Sequence, residues 1–136
     1  MKSLISSVMI TNAMERIPAF PLYVCLDDGE VLRIESIVRI LYHLEAIDIE
    51  NDEYMFWDAN GHGLKILIEK EKVVGFANAE HKITLQQAFD DYIQQLGVSV
   101  DTTGTPEEIW GKVKKAKDEL PRRPSFLSRL FSRTAQ

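Results

Sequence analysis

The sequence contains a single cysteine, Cys25, and no long apolar run. One cysteine excludes an internal disulfide, and with it the small disulfide-stapled scaffolds of secreted proteins. No stretch approaches the roughly 20 consecutive apolar residues that a membrane-spanning helix needs. Cys25 lies among alternating residues where a small apolar side chain suits a core, so we expect a buried thiol in a protein of the reducing cytoplasm.

Catalytic and metal-binding motifs are also missing. The chain has no Gly-x-Ser-x-Gly elbow, no phosphate-binding glycine loop ending in lysine, no His-Glu-x-x-His and no cysteine pair. We assign His43 to the surface of a helix, because it lies off the apolar stripe. We assign His62 to a tight turn and not to a calcium site, because the segment 58–63 offers too few oxygen ligands for calcium. The sequence therefore predicts no catalytic residue, no metal site and no cofactor, and favours a binding protein over an enzyme.

Acidic residues are absent from the end of the chain. Residues 121–136 contain four arginines and no acid, whereas residues 1–120 contain twelve Lys and Arg against twenty-one Asp and Glu, a formal charge of −9. Affinity for nucleic acid comes largely from cations that displace phosphate counterions. We therefore expect the body not to bind nucleic acid.

The C-terminal segment is amphipathic as well as basic. Its apolar residues are spaced i, i+1, i+4 and i+5, which places them on one face of a helix, and Pro121 and Pro124 separate it from the body. Four interpretations remain open: a disordered end, a segment that folds back onto the acidic body, a segment that docks on a protein, and one that lies on an anionic membrane surface. Its candidate partner-binding residues are Arg122, Arg123, Phe126, Leu127, Arg129, Leu130, Phe131 and Arg133.

Turn residues between apolar runs predict strands. Asp27-Asp28-Gly29-Glu30 predicts a hairpin between residues 20–26 and 31–34, and Asn60-Gly61-His62-Gly63 predicts a second between residues 54–58 and 64–69. A charged reversal at residues 69–72 leads to a further strand over residues 73–77. The last three strands should therefore form a meander.

Three helices are predicted from periodicity and capping residues. A stripe from Ile37 to Ile47 predicts a helix over residues 36–45, although its β-branched residues also fit a strand. Thr84 with Gln87, followed by Gly97, predicts a helix over residues 85–96. A similar pattern, with Pro106 at the first helical position, predicts a helix over residues 106–119.

Length and pattern together indicate an α+β protein. At 136 residues the chain suits one domain with one core. We expect a mostly antiparallel sheet of about five strands, two or three helices packed on one face, and a basic amphipathic C-terminal segment. The expected boundaries are an N-terminal extension over residues 1–13, the domain over residues 14–120 and the tail over residues 121–136.

The aromatic residues before the second turn are candidate anchors for a partner. Tyr54 and Phe56 alternate along a strand and share one face, whereas Trp57 points to the other. A helix of this chain or a partner protein should cover them, and aromatic side chains are enriched at interface centres.

Two function hypotheses follow. The first is a non-catalytic protein-interaction domain, adaptor or inhibitor-like, with an acidic body and a docking tail. The alternative is a small enzyme or ligand-binding domain whose pocket lies between the sheet and the helix 85–96. A cavity that holds His43 or His81 together with two converging carboxylates would favour this alternative.

Overall fold

The computed structural model describes residues 17–121, which form an antiparallel sheet and helices, so the predicted α+β class is confirmed. The five strands are β1 (Leu22–Cys25), β2 (Val31–Ile34), β3 (Met55–Trp57), β4 (Gly63–Glu69) and β5 (Lys72–Asn78). The four helices in this part of the chain are α1 (Ile37–His43), α2 (Ala46–Glu50), α3 (Leu85–Leu96) and α4 (Pro106–Asp118).

The strands are ordered β2-β1-β3-β4-β5, and every neighbouring pair is antiparallel. Both predicted hairpins are confirmed, with Gly29 at φ 92° and Gly61 at φ 85° supplying the left-handed backbone that their turns require. The predicted meander of β3, β4 and β5 is also present. The segment with α1 and α2 returns the chain to the other side of β1, where Val24 pairs with Phe56.

The sheet is buried on both faces, because helices cover each of them. On β1, Tyr23 and Cys25 point to one face while Leu22 and Val24 point to the other, and all four are buried. Helices α3 and α4 cover the first face, with Trp57 and Phe89 in its core. The short helices α1 and α2 cover the second. The expectation of helices on one face thus holds for α3 and α4, and the structure adds a second helical layer opposite them.

The two long helices begin at the predicted residues for the predicted reason. Thr84 caps α3 by accepting a hydrogen bond of 3.1 Å from the backbone N–H of Gln87, and Gly97 ends it at φ 71°. The Gln87 side chain donates to Asp91 instead of completing a capping box. Thr105 and Glu108 form the full capping box of α4, which ends one residue before the predicted boundary.

The first predicted helix is divided in two. Helix α1 ends at His43 because Leu44 adopts an extended backbone, with φ −129° and ψ 149°. A second short helix, α2, then follows where the sequence predicted none. The break lets Leu44 and Ile49 both reach the core of the second face, which a single straight helix does not offer to side chains at this spacing.

Glu107 attaches α4 to the sheet. Its Oε2 accepts a hydrogen bond of 3.0 Å from the Tyr23 hydroxyl, and its two oxygens accept from the Arg33 guanidinium at 3.1 and 3.0 Å. Burial raises the pKa of Tyr23, and its hydrogen bond to Glu107 adds to this. The Arg33 guanidinium in turn lowers the pKa of Glu107.

No helix within residues 17–121 is long and apolar enough to cross a bilayer.

Candidate functional site

A cleft of about 880 Å³ lies at the end of the sheet where the β3–β4 turn meets the loop before α3. Its volume falls in the range of small-molecule pockets, roughly 300–1,000 Å³. Residues 17–19 form one wall of the cleft. A hydrogen bond of 2.9 Å from the Ala59 N–H to the Ala19 carbonyl holds them there. Its lining residues are Ile17, Pro18, Ala19, Trp57, Asp58, Asn60, Gly61, His62, Gly63, Leu64, Phe76, Ala77, Asn78, Ala79, Glu80, His81, Ile83 and Thr84.

Asp58 places a buried charge in the wall of this cleft. It is 8 % exposed and is the one buried charged residue among residues 17–121. Its Oδ1 accepts the backbone N–H groups of Asn60 at 2.8 Å and His62 at 3.0 Å, the hydrogen bonds of a tight turn. Its Oδ2 lies 3.4 Å from Nδ1 of His62, whose side chain is 75 % exposed. The Oδ1 atom of Asp58 is therefore well hydrogen-bonded by the backbone, whereas Oδ2 has a longer contact with an exposed imidazole.

His81 is held in a defined orientation on the same wall. Its Nε2 lies 2.8 Å from the Phe56 carbonyl oxygen and 3.1 Å from the Leu64 carbonyl oxygen. Carbonyl oxygens only accept, so Nε2 carries a proton and donates to both. The Trp57 ring packs edge-to-face against the His81 imidazole, and the two ring centres are 5.2 Å apart. His81 therefore joins β3 to β4.

Gly63 lets the backbone close around this site. Its carbonyl accepts a hydrogen bond of 3.0 Å from the Ala79 N–H. A Cβ at position 63 would collide with the Ala79 carbonyl oxygen and press on the His81 ring. The short distance between these backbones explains why the start of β4 carries glycine.

Three polar side chains of the cleft already have hydrogen-bond partners in the backbone. Among residues 17–121 no three His, Cys, Asp or Glu side chains lie close enough together to share a metal ion. The Thr84 hydroxyl serves as a helix cap, and Asp58 and His81 are hydrogen-bonded to backbone. The sequence hypothesis placed a pocket between the sheet and the helix 85–96, whereas this cleft lies at the end of the sheet and reaches α3 at its cap, Thr84. His81 lines the cleft, and His43 lies exposed on α1.

A second candidate site is the α1–α2 surface, which we define by Ile37, Val38 and Tyr42 of α1 and Ile47 of α2. Val38 is 84 % exposed, Tyr42 is 73 % exposed and Ile47 is 59 % exposed. Val38 and Tyr42 are neighbours at i and i+4 on the helix, and the Arg39 guanidinium lies 5.0 Å from the centre of the Tyr42 ring. A β-branched valine at an exposed helical position contributes little to the stability of the helix.

The segment that carries this apolar surface is rich in acidic residues. Residues 35–53 contain Arg39 as their one Lys or Arg and six acids, which are Glu35, Glu45, Asp48, Glu50, Asp52 and Glu53. Hydrogen bonding to Asp48 and the charges of Asp48 and Asp27 raise the pKa of Glu53. Burial, with a hydrogen bond of 3.0 Å to Asp48, raises the pKa of Tyr54 to about 12. The shift of the Glu53 pKa therefore reflects crowded negative charge beside α2, whereas that of Tyr54 reflects burial first and the neighbouring carboxylates second.

The residues predicted to bind a partner fall in different places. Phe56 is 3 % exposed and packs in the core that α1 and α2 cover, so this chain's own helices cover it. Tyr54 is half-buried beside the acidic residues of α2. The eight predicted tail residues, from Arg122 to Arg133, lie outside the described residues.

Sequence reasoning missed the exposure of Val38 and Tyr42 and the burial of Asp58. The first had a signal, since both residues are apolar yet lie off the stripe that runs from Ile37 to Ile47. Asp58 had none, because a buried turn aspartate and an exposed one have the same sequence pattern.

Comparisons with known proteins add no relative from which a function follows. No protein-family model matches this chain, and neither a curated protein nor a solved structure matches it at a significant level.

Proposed function

We propose that this protein is a non-catalytic interaction domain that binds a basic protein partner through the α1–α2 surface. The observation that carries the proposal is the exposure of Val38 and Tyr42 on one face of α1, within a segment of the chain that contains six acidic residues. Large apolar side chains grouped on a surface and rimmed by charge are typical of protein interfaces. The free thiol of Cys25 suits action in the cytoplasm.

The charge of the surface defines the partner's chemistry. Acids with few neighbouring cations attract a basic surface, which speeds association and disfavours acidic partners. Val38 and Tyr42 then supply the apolar contact, since burying an aliphatic or aromatic side chain contributes about 1.5–3 kcal/mol. A partner that fits has Lys or Arg residues around an apolar groove.

The C-terminal segment has a supporting role in this proposal. With four arginines and with apolar residues at helical spacing in their sequence, residues 121–136 differ in charge from the acidic body and can position it near a third component. A chain that ends at Leu120 should keep the contact through α1 but retrieve fewer partners. Equal retrieval by both chains would remove the tail from the proposal.

The test is a comparison of purified baits in native cell extract, read by quantitative mass spectrometry. The full chain and a Val38→Ser/Tyr42→Ser variant are compared, and every retained protein is then purified and its affinity measured directly. We expect a basic partner whose affinity falls about tenfold or more in the variant, because two interface anchors are lost. Its affinity for the wild-type chain should also fall as salt is added.

A matched control separates this surface from general stickiness. Ile17 is 66 % exposed and borders the cleft rather than α1, so Ile17→Ser removes a comparable apolar side chain elsewhere. It should leave the affinity unchanged. Both variants should also unfold at the wild-type temperature. A partner that binds the Val38→Ser/Tyr42→Ser variant as tightly as the wild type, or an acidic partner, would refute the proposal.

A further inference from the structure

We infer that the cleft at the end of the sheet is a binding site for a cationic group, a primary ammonium or a guanidinium attached to an apolar body. The cleft is separate from the α1–α2 surface, so this inference does not depend on the proposed function. Three observations on residues 17–121 carry it: a buried carboxylate with no Lys or Arg side chain beside it, a lining that includes no Lys or Arg, and apolar residues in the same lining.

The buried carboxylate belongs to Asp58. Of the Lys and Arg residues within 17–121, none lies within 4.0 Å of its oxygens, and the His62 imidazole at 3.4 Å is mostly in solvent. Burying a charge is costly unless another charge or hydrogen bonds compensate it. Backbone N–H groups satisfy Oδ1, which leaves Oδ2 with the weaker contact. A cationic group of a ligand that displaced the His62 imidazole from Oδ2 would compensate the negative charge of Asp58.

The rest of the wall has the same electrical sign. Asp58 and Glu80 are its charged residues, and the Lys and Arg side chains of the described chain are absent from it. Lys82 neighbours His81 in sequence but is exposed and not part of the lining. An anionic ligand would meet two carboxylates in this cleft and no strong cation, so its binding is disfavoured. A ligand that brings N–H donors and positive charge is favoured.

Apolar residues define the other end of the ligand. Leu64, Phe76, Ile83 and Trp57 line the cleft together with the polar groups. Small-molecule sites combine apolar side chains with a few placed polar groups, and this lining offers both. Since β3, β4 and the His81 bridge hold this wall, the site is largely formed before a ligand arrives.

Asp58→Asn tests the charge without breaking the turn. The asparagine side-chain oxygen can accept the same two backbone N–H groups as Oδ1 of Asp58. Asp28 provides the matched control, because its Oδ1 accepts the Glu30 N–H at 3.0 Å in the exposed β1–β2 turn. Asp28→Asn therefore makes the same chemical change in the same kind of turn, away from the cleft.

The full chain is titrated with phenethylamine and agmatine by calorimetry and by amide NMR. We expect saturable binding, with amide shifts at Asn60, Gly63 and Thr84. Asp58→Asn should weaken it about tenfold, as expected when one charge partner is lost, and Asp28→Asn should leave it unchanged. Phenethyl alcohol, which has the same body without the charge, should bind at least tenfold more weakly. N-acetyl-arginine N-methylamide is titrated in the same way. If it binds and agmatine does not, the cleft is still a site for a cationic group, and that group is the arginine side chain of a peptide.

Three results would overturn the inference. One is the absence of binding by all cationic probes, and another is equal binding of phenethyl alcohol and phenethylamine. The third comes from Arg16, which directly precedes the wall residue Ile17. If the probes bind the full-length Arg16→Gln variant and not the wild type, the cation of this cleft is supplied by the chain itself and not by a ligand.

Discussion

At the scale of single residues, burial gives ordinary side chains particular roles. Asp58 and His81 occupy loops, where polar residues usually face water, yet both make hydrogen bonds to backbone in the wall of the cleft. Cys25 follows the sequence prediction of a buried thiol, and burial raises its pKa above the ordinary value. Its thiolate is therefore scarce at neutral pH, which suits a packing role.

His81→Ala should lower the free energy of unfolding by about 2 kcal/mol, because two backbone carbonyls lose their donor and the Trp57 ring loses a contact. Chemical denaturation followed by tryptophan fluorescence measures it. His62→Ala is the control, since that side chain is mostly exposed and its removal should cost less than about 0.5 kcal/mol. Equal losses in the two variants would show that the His81 bridge contributes nothing.

At the scale of elements, local signals were sufficient where the element's ends are chemically marked. Thr84 and Gly97 bracket α3 at the predicted residues because caps act within one turn of the backbone. Ser36, the residue available to cap α1, makes no side-chain cap hydrogen bond, and α2 has no side-chain cap either. There the division into two helices is decided by the need of Leu44 and Ile49 to reach the same core.

The β4–β5 turn offers a test of local backbone strain. Lys70 and Glu71 have φ values of 51° and 64°, a conformation that non-glycine residues rarely adopt and that a two-residue hairpin turn requires. Replacing them by Asn-Gly should raise the free energy of unfolding by about 1 kcal/mol. Thermal and urea denaturation of the Lys70→Asn/Glu71→Gly variant measure the change. A loss of stability would mean that the charges of the native turn outweigh the relief of strain.

At the scale of the whole molecule, two helical layers sandwich one sheet, and the link from Glu107 to Tyr23 and Arg33 joins α4 to β1 and β2. Tyr23 and Arg33 are opposite each other in the β1–β2 hairpin, but Glu107 lies 84 positions from Tyr23. No local pattern relates Glu107 to the other two. The α1–α2 surface also belongs to this scale, because which apolar side chains of α1 remain exposed depends on how the helix lies on the sheet.

The Glu107 link predicts a pH dependence of stability. The pKa of Glu107 is lower in the folded chain than its ordinary value of 4.5, so the folded state binds fewer protons. Its contribution is present above pH 4.5 and is lost as the pH falls through the lowered pKa. Glu107→Gln should therefore be less stable than the wild type at pH 7, and the difference should shrink towards pH 3.

Denaturation at several pH values measures this difference, with Glu50→Gln at an exposed site as the control. The control should follow the wild type across the range. A Glu107→Gln variant whose stability changes with pH as steeply as that of the wild type would show that the carboxylate is not linked to folding.

The sequence by itself determined the strands with Gly-containing turns, the two capped helices and the opposite charges of body and tail, because these depend on backbone chemistry and composition within a few residues. Only the tertiary structure decided that helices cover both faces, that Phe56 is in the core, that Val38 and Tyr42 are exposed, and that Asp58 is a buried charge in a cleft. The physical reason is that burial is a property of pairs of distant segments, and one sequence pattern is compatible with either side of an element facing water.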